Sequence, residues 1–441
     1  MRQLFLSFLL VGTLTAGAQS TTASQVARIS TDDAVERPLF KTFPGEIPYR
    51  IPAIAVNRRG ELIAVSDYRP CGGDIGFGKV DLRYRISDNN GATWSREYVL
   101  AEGDGVKGSK TCGYGDAAIA ADRGSDEAVV VCVTGNTVYG SGSTTRKNPN
   151  RVAVLHSTDG GHQWGRPVDI TEQIYALFDQ SRLGPVDALF FGSGRICQSR
   201  LIRVGHYYRL YAALCARPGG NRVVYSDDLG RTWQALGDIH TSPAPNGDEP
   251  KVEELPNGDV LLSSRVSGGR LFNIFHYLSE RNATGAWEQQ PVLSQKENGG
   301  IKALQNSTNG EILLVDARDN ATHRPVRLAL QSVPLGPGRA NVGIYYKALP
   351  TNKRRAAEWE HYTAKDFATE WGGPLKVTTL GSAYSTMVQQ TDGRIAFFYE
   401  EETYGKGACY TNMYVPLTLE RITDGKFSAL RTQLPPKAKR R

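Results

Sequence analysis

The sequence predicts an all-β fold, a six-bladed β-propeller, from three observations. Short apolar runs recur along the chain between turn residues, helical periodicity is rare, and one turn pattern returns at regular intervals. The runs include Ile51–Val56, Leu62–Ser66, Ala128–Val133, Arg195–Arg203, Tyr207–Cys215, Val260–Ser264, Glu311–Asp316 and Arg394–Tyr399. Each has the length of a strand rather than a helix. Asn257-Gly258, Asn309-Gly310 and Asp392-Gly393 stand immediately before three of them, as turn residues should. With 47 Gly and 22 Pro, the composition suits many turns. Thr171–Phe178 is the one helical candidate singled out.

The repeated pattern is Ser-x-Asp-x-Gly-x-Thr-Trp. It reads Ser87-Asp88-Asn89-Asn90-Gly91-Ala92-Thr93-Trp94, then Ser157 to Trp164, then Ser226 to Trp233, with a worn copy from Ser279 to Trp287. The spacing of roughly seventy residues is one four-stranded blade with its loops, and about six such blades fill the chain. The residue types suit a hairpin turn. The Asp side chain accepts backbone N–H bonds, the Gly takes positive φ, and the Trp packs back onto the strands. Asp159 and Asp228 are therefore expected to staple turns rather than do chemistry. Asn89 stands at the same place in the first copy, and an amide can fill that turn role but not an acid's.

Residues 1–18 read as a secretory signal: Arg2, a mostly apolar run from Leu4 to Leu14, then Ala16-Gly17-Ala18. The run is too short to span a membrane. Residues 19–38 read as a short leader, 39–432 as the propeller and 433–441 as a basic tail. Export to a periplasmic, cell-surface or secreted location puts the six cysteines in an oxidising space. Cys197 and Cys215 flank a turn near Gly205 and are expected to face each other across a hairpin. No Cys or His spacing resembles a zinc site, and no oxygen-ligand loop for calcium is evident. The net charge of +7 leaves nucleic acid, a membrane surface or an acidic substrate open. The basic residues are scattered apart from the tail, and no nucleic-acid motif is present, so nucleic acid is not expected as a partner. The expected state is a monomer.

Tyr49-Arg50-Ile51-Pro52 stands near the start of the propeller, and Ser382-Ala383-Tyr384-Ser385-Thr386 near its end. Together with the turn repeats, in this order and over roughly residues 40–420, they resemble the sialidase (neuraminidase) family. The first matches that family's Phe/Tyr-Arg-Ile-Pro signature. The resemblance implies a retaining exo-α-sialidase acting on sialylated glycans without a cofactor. Sialic acid carries a carboxylate on its anomeric carbon, and arginines clamp carboxylates bidentately. Arg50 matches the first clamp arginine, and Arg265 in Leu262-Ser263-Ser264-Arg265 matches the second. Arg324 is expected as the third from its spacing to Ser332, with Arg327 the alternative.

That anion also repels a carboxylate nucleophile, which explains a tyrosine in the role. The resemblance makes Tyr384 the nucleophile and Glu249, in Asp248-Glu249-Pro250, its base, with Glu253 and Glu254 as competitors. Asp74, in the glycine-rich loop Cys71-Gly72-Gly73-Asp74-Ile75-Gly76, matches the acid/base, ahead of Asp81. Closure of that loop would raise its pKa by desolvation. Nearby arginines are expected to lower the pKa of Tyr384. Arg69 and Asp116 match groups near the sugar's C4 side, although Ala117 replaces the family's frequent Pro. Cys71 and Cys112 each precede one of these loops, which suggests a disulfide between them. Three other readings stay open: a glycosidase for deaminated sialic acid or Kdo, a transferase or intramolecular variant, and a glycan-binding propeller without activity.

Overall fold

A computed structural model describes residues 35–305, 308–405 and 410–430. The expected signal at 1–18 and the basic tail at 433–441 lie outside them. The described residues form six sheets of four or five strands, antiparallel but for one short parallel pair, arranged as the blades of a ring. Strands such as Ala128–Thr134, reading AVVVCVT, are buried along their whole length. This is what a sheet packed on both faces by neighbouring blades requires. The apolar clusters lie between blades: Val129, Val131 and Val154 of the second blade meet Leu210, Ala212 and Val224 of the third. No helix among the described residues is long and apolar enough to cross a membrane.

Five blades begin on the ring axis and run outward in chain order. The sixth is completed by the start of the chain: Arg37–Phe40 pairs antiparallel with Thr411–Leu417, setting Arg37 opposite Tyr414. The sheet therefore begins at Arg37, inside the stretch expected to be leader. The helix appears as Thr171–Ala176, with Ile174 and Tyr175 buried.

The third blade has a broken inner edge. Ala188–Phe191 and Cys197–Val204 each pair with part of Tyr207–Arg217. Between them the chain detours across the axis, and Gly194–Arg195 pairs in parallel with the second blade's inner strand. The same register separates the two cysteines expected to bond. Cys197 lies opposite Tyr211 and Cys215 opposite Phe190. Both are thiols, as are Cys71 and Cys112, so neither expected disulfide is formed.

The turn repeats are hairpins between the third and fourth strands of their blades. Ser157 Oγ donates to Asp159 at 2.8 Å, and Asp159 accepts the N–H of Gln163 at 2.9 Å. Asp228 and Asn89 accept the N–H of Thr232 and Thr93 in the same way. Gly161, at φ +91°, is obligatory: a Cβ there would lie 2.4 Å from Ile63. Strand alternation puts all these hairpins on one face of the ring. The starts of the inner strands and the ends of the second strands lie on the other.

Candidate active site

Four inner strands share one defect at that second face. In Tyr49–Val56, Arg50 faces Asp67 and Ala53 faces Val65, so three steps on the inner strand match two on its neighbour. The same three-to-two slip occurs from Gly115 to Ala118, from Asp248 to Lys251 and from Ser382 to Ser385. Each is a β-bulge, which re-aims side chains and interrupts the ladder. The residues inside the slips are Ile51-Pro52, Asp116-Ala117, Glu249-Pro250 and Ala383-Tyr384. Proline is tolerated at two of them because a bulge frees its position from donating to the ladder. Ile51 and Asp116 have φ of +54°, a conformation β-branched Ile avoids unless its surroundings impose it.

The bulges aim their residues into one cleft of about 290 Å³ on the ring axis, lined among others by Arg50, Arg69, Asp74, Asp116, Glu249, Arg339 and Tyr384. At its floor Tyr384 Oη donates a short hydrogen bond to Glu249 Oε1. Arg265 Nη1 donates to the other oxygen, Glu249 Oε2, at 2.9 Å. The guanidinium carbon of Arg50 lies 5.7 Å from the centre of the Tyr384 ring, and that of Arg339 lies 5.5 Å from it. Arg50 is held by Glu400, a fully buried carboxylate that accepts from Arg50 Nε at 2.8 Å. Glu400 also accepts the N–H of Ile51 at 2.7 Å and of Tyr384 at 3.1 Å. One side chain thus sets Arg50 and the tyrosine's backbone together.

On the cleft wall Arg69 is shared by acids. It donates to Asp67 at 2.8 Å and lies 3.1 Å from Asp74. Asp67 in turn accepts the N–H of Asp116 at 3.0 Å. The Asp74 carboxyl is 56% exposed, so it is reachable from solvent. Burial, then the charges of Asp74 and Asp67, push the Asp116 carboxyl well above the usual range against the pull of Arg69. Burial likewise raises Glu249, opposed by Arg265.

Tyr384 departs from expectation. Burial, with the Glu249 charge beside it, raises its pKa well above 10 and outweighs Arg339 and Arg265. Both effects favour the neutral phenol, hydrogen-bonded to the Glu249 carboxylate. Glu253 and Glu254 are spent elsewhere, on Arg195 and on Ser199 with the Arg200 N–H. Asp81 accepts from Gly103 and Arg83 and is structural.

Arg324 is not in the cleft. It is exposed in the hairpin before Pro325–Pro334, at the strand's far end. A strand of that length puts its two ends roughly 30 Å apart. Arg327 is on that same distant side, 2.8 Å from Asp316. The third cation of the cleft is Arg339, in the loop that follows Pro334. Its carbonyl accepts the N–H of Ser382 at 2.9 Å, which fixes the loop against the tyrosine's strand. Strand polarity could have found it. Arg69 and Arg265 stand at the ends of second strands and Arg339 follows one, whereas Arg324 and Arg327 stand at such a strand's start.

No family model matches the chain. A sialidase of Micromonospora viridifaciens is 28% identical over 373 residues, covering 82% of this chain and 51% of that protein. The chain thus spans about half the length of that curated relative. Among solved structures, Trypanosoma rangeli sialidase in complex with 2,3-difluorosialic acid, a covalent intermediate, superposes with TM-score 0.61 at 17% identity, covering 89% of this chain and 59% of that one. The intramolecular trans-sialidase of Ruminococcus gnavus, with oseltamivir carboxylate, superposes with TM-score 0.64 at 14% identity, covering 88% and 98%. The solved structures share the fold of this chain, and the curated relative shares its sequence at 28% identity.

Proposed function

Since this chain belongs to the sialidase family, we propose that it hydrolyses terminal α-linked sialic acids with retention of configuration, through a sugar bonded to Tyr384. The observation that carries this reading is the hydrogen bond from Tyr384 Oη to Glu249, inside a cleft flanked by Arg50 and Arg339. A structural tyrosine has no need of a buried carboxylate and several guanidinium groups around it.

The chemistry follows from the groups. Arg50, Arg265 and Arg339 hold the substrate carboxylate, Arg265 from its place beside Glu249. Asp74 gives a proton to the glycosidic oxygen as its bond to the anomeric carbon breaks. Tyr384 Oη bonds to that carbon while its proton passes to Glu249. A neutral phenol approaches without the repulsion an anion would meet beside the sugar's carboxylate. Asp74 then takes a proton from water, which attacks the same carbon. The phenolate leaves and recovers its proton from Glu249. Two inversions leave the configuration retained.

Ile75, Val133, Val138 and Phe190 line part of the cleft. This apolar surface suits the methyl of an N-acetyl group and favours N-acetylated sialic acid over the deaminated sugar or Kdo. The signal-like sequence of residues 1–18 is consistent with action outside the cytoplasm.

Release of a fluorogenic aglycone from the α-glycosides of the three sugars tests the reading. N-acetylated sialoside is expected to turn over fastest, giving free sialic acid as the product. Release from none of them removes the hydrolase reading. Fastest release from the Kdo glycoside replaces the substrate, and an anhydro product replaces water as the acceptor.

A further inference from the structure

Tyr384 and Glu249 belong to different blades, the sixth and the fourth. The strand Ser382–Gln389 pairs with Ile395–Glu401, and Asp248–Glu254 pairs with Val260–Val266. No backbone ladder joins the two inner strands among the described residues. Their separation, and with it the contact at Tyr384 Oη, depends on side chains.

One such link lies beneath the cleft. Two residues beyond Glu249 is Lys251, and two beyond Tyr384 is Thr386. Both reach a single carboxylate, Glu311, which opens the fifth blade and is wholly buried. Thr386 Oγ1 donates to Glu311 Oε2 at 2.9 Å, and Lys251 Nζ lies 3.5 Å from the same oxygen. The Arg195 N–H donates to it at 3.3 Å. Lys251 Nζ also donates to the Ser193 carbonyl, in the detour that breaks the third blade's inner edge. Asn309 Nδ2 donates to that same carbonyl at 3.0 Å.

Buried ion pairs contribute little net stability, because desolvation offsets attraction. What such a group does supply is a fixed geometry between the elements it joins. A misplacement of about 1 Å between reacting groups can cost ~10²-fold in rate. We propose that Glu311 is a positioning residue, and that the bridge Lys251–Glu311–Thr386 sets the spacing of the fourth and sixth blades at which Tyr384 Oη meets Glu249. This rests on the reading of Tyr384 and Glu249 as the reacting pair and deepens it.

The test uses the full chain and the smallest change that opens the bridge. Thr386→Val keeps the volume and removes the donor; Thr386→Ser keeps the donor. On the fluorogenic α-sialoside, Thr386→Val is expected to lower kcat by about tenfold with KM within about twofold, and Thr386→Ser to recover most of it. Glu311→Gln is expected to lose more. A second readout is independent of turnover. In chain labelled with 3-fluorotyrosine, the Tyr384 resonance, assigned by its loss in Tyr384→Phe, is expected to move in Thr386→Val and stay in Thr386→Ser. Wild-type kcat with an unmoved resonance in Thr386→Val overturns the proposal. So does equal damage in both variants that tracks their melting temperatures. If the unaltered chain releases no aglycone, the sialidase reading fails, while the resonance still decides whether the bridge positions the tyrosine.

Discussion

The two faces of the ring use carboxylates in opposite ways. On the face with the turn repeats, Asp228 accepts from Thr232 N, Thr232 Oγ1 and Ser226 Oγ, all within its own hairpin. On the other face Glu249 accepts from Tyr384, a blade pair away across the axis, and from Arg265 on the neighbouring strand. Each of these partners of Asp228 comes from its own turn. A carboxylate whose partners come from separate elements is held only by the tertiary fold, and those partners are the ones chemistry can exchange.

The sharpest way to break this contrast is to remove one group from each face. Tyr384→Phe loses only an oxygen, yet turnover of the fluorogenic sialoside is expected to fall by ~10³-fold or more, because the residual rate comes from binding and charge alone. Circular dichroism is expected to be unchanged. Asp159→Asn, on the opposite face, is expected to leave kcat and KM as they were, since Asn89 already fills that role in the first repeat. Equal turnover of Tyr384→Phe and the unaltered chain removes the nucleophile. Next in size is the arginine pair at opposite ends of one strand. Arg339→Ala is expected to lower kcat/KM by roughly 10- to 100-fold through loss of a charge-assisted contact, and Arg324→Ala to stay within about twofold. The reverse ranking would restore Arg324 as the third clamp.

That pair also marks where the sequence was readable. The turn repeats, the strand runs and the helix near Thr171 were legible because each is specified by neighbours along the chain. Arg50, Glu249 and Tyr384 were legible through motifs, and the bulges explain why: Ile51-Pro52 and Glu249-Pro250 spell a local irregularity as well as a side chain. Arg339 lies in a glycine- and proline-rich loop with no motif of its own, and only strand polarity identifies it. Glu400 was unreadable for a related reason. Its partners Arg50 and Ile51 lie about 350 residues away, brought near by closure of the ring. The disulfide between Cys197 and Cys215 failed on register, because the third blade's broken inner strand offsets the two positions.

A smaller effect is expected from emptying a turn. Asp159→Ala removes the acceptor for Ser157 Oγ and Gln163 N–H and should destabilise the fold by ~1 kcal/mol, in the range of a lost cap or hydrogen bond. A thermal melt reads this as a fall of a few degrees. The rate of aglycone release at 25 °C is expected to be unchanged. A large loss of turnover with the melt unaltered would mean that the two faces are not independent.

The smallest effect concerns the blade whose repeat is worn. There, on the face away from the cleft, His276 bridges two carboxylates: Nδ1 lies 2.8 Å from Asp259 and Nε2 lies 3.1 Å from Glu288. Both ring nitrogens meet a carboxylate, so the protonated form is favoured, and hydrogen bonds to Asp259 and Glu288 raise its pKa to about 9. A folded pKa above the unfolded value of about 6.5 means the folded chain holds this proton more tightly. The resulting stability is fully present below pH ~6.5 and is lost as pH rises through about 9. His276→Gln cannot titrate. The difference in melting temperature between the two chains is expected to be largest at pH 6 and to shrink toward pH 9.5, by a modest amount because the ring is 41% exposed and screened by solvent. A difference that stays constant across this range, or grows with pH, would show that the imidazole is held as a neutral packing group. kcat/KM on the opposite face is expected to be the same in both chains at every pH, because no hydrogen bond of His276 reaches the cleft.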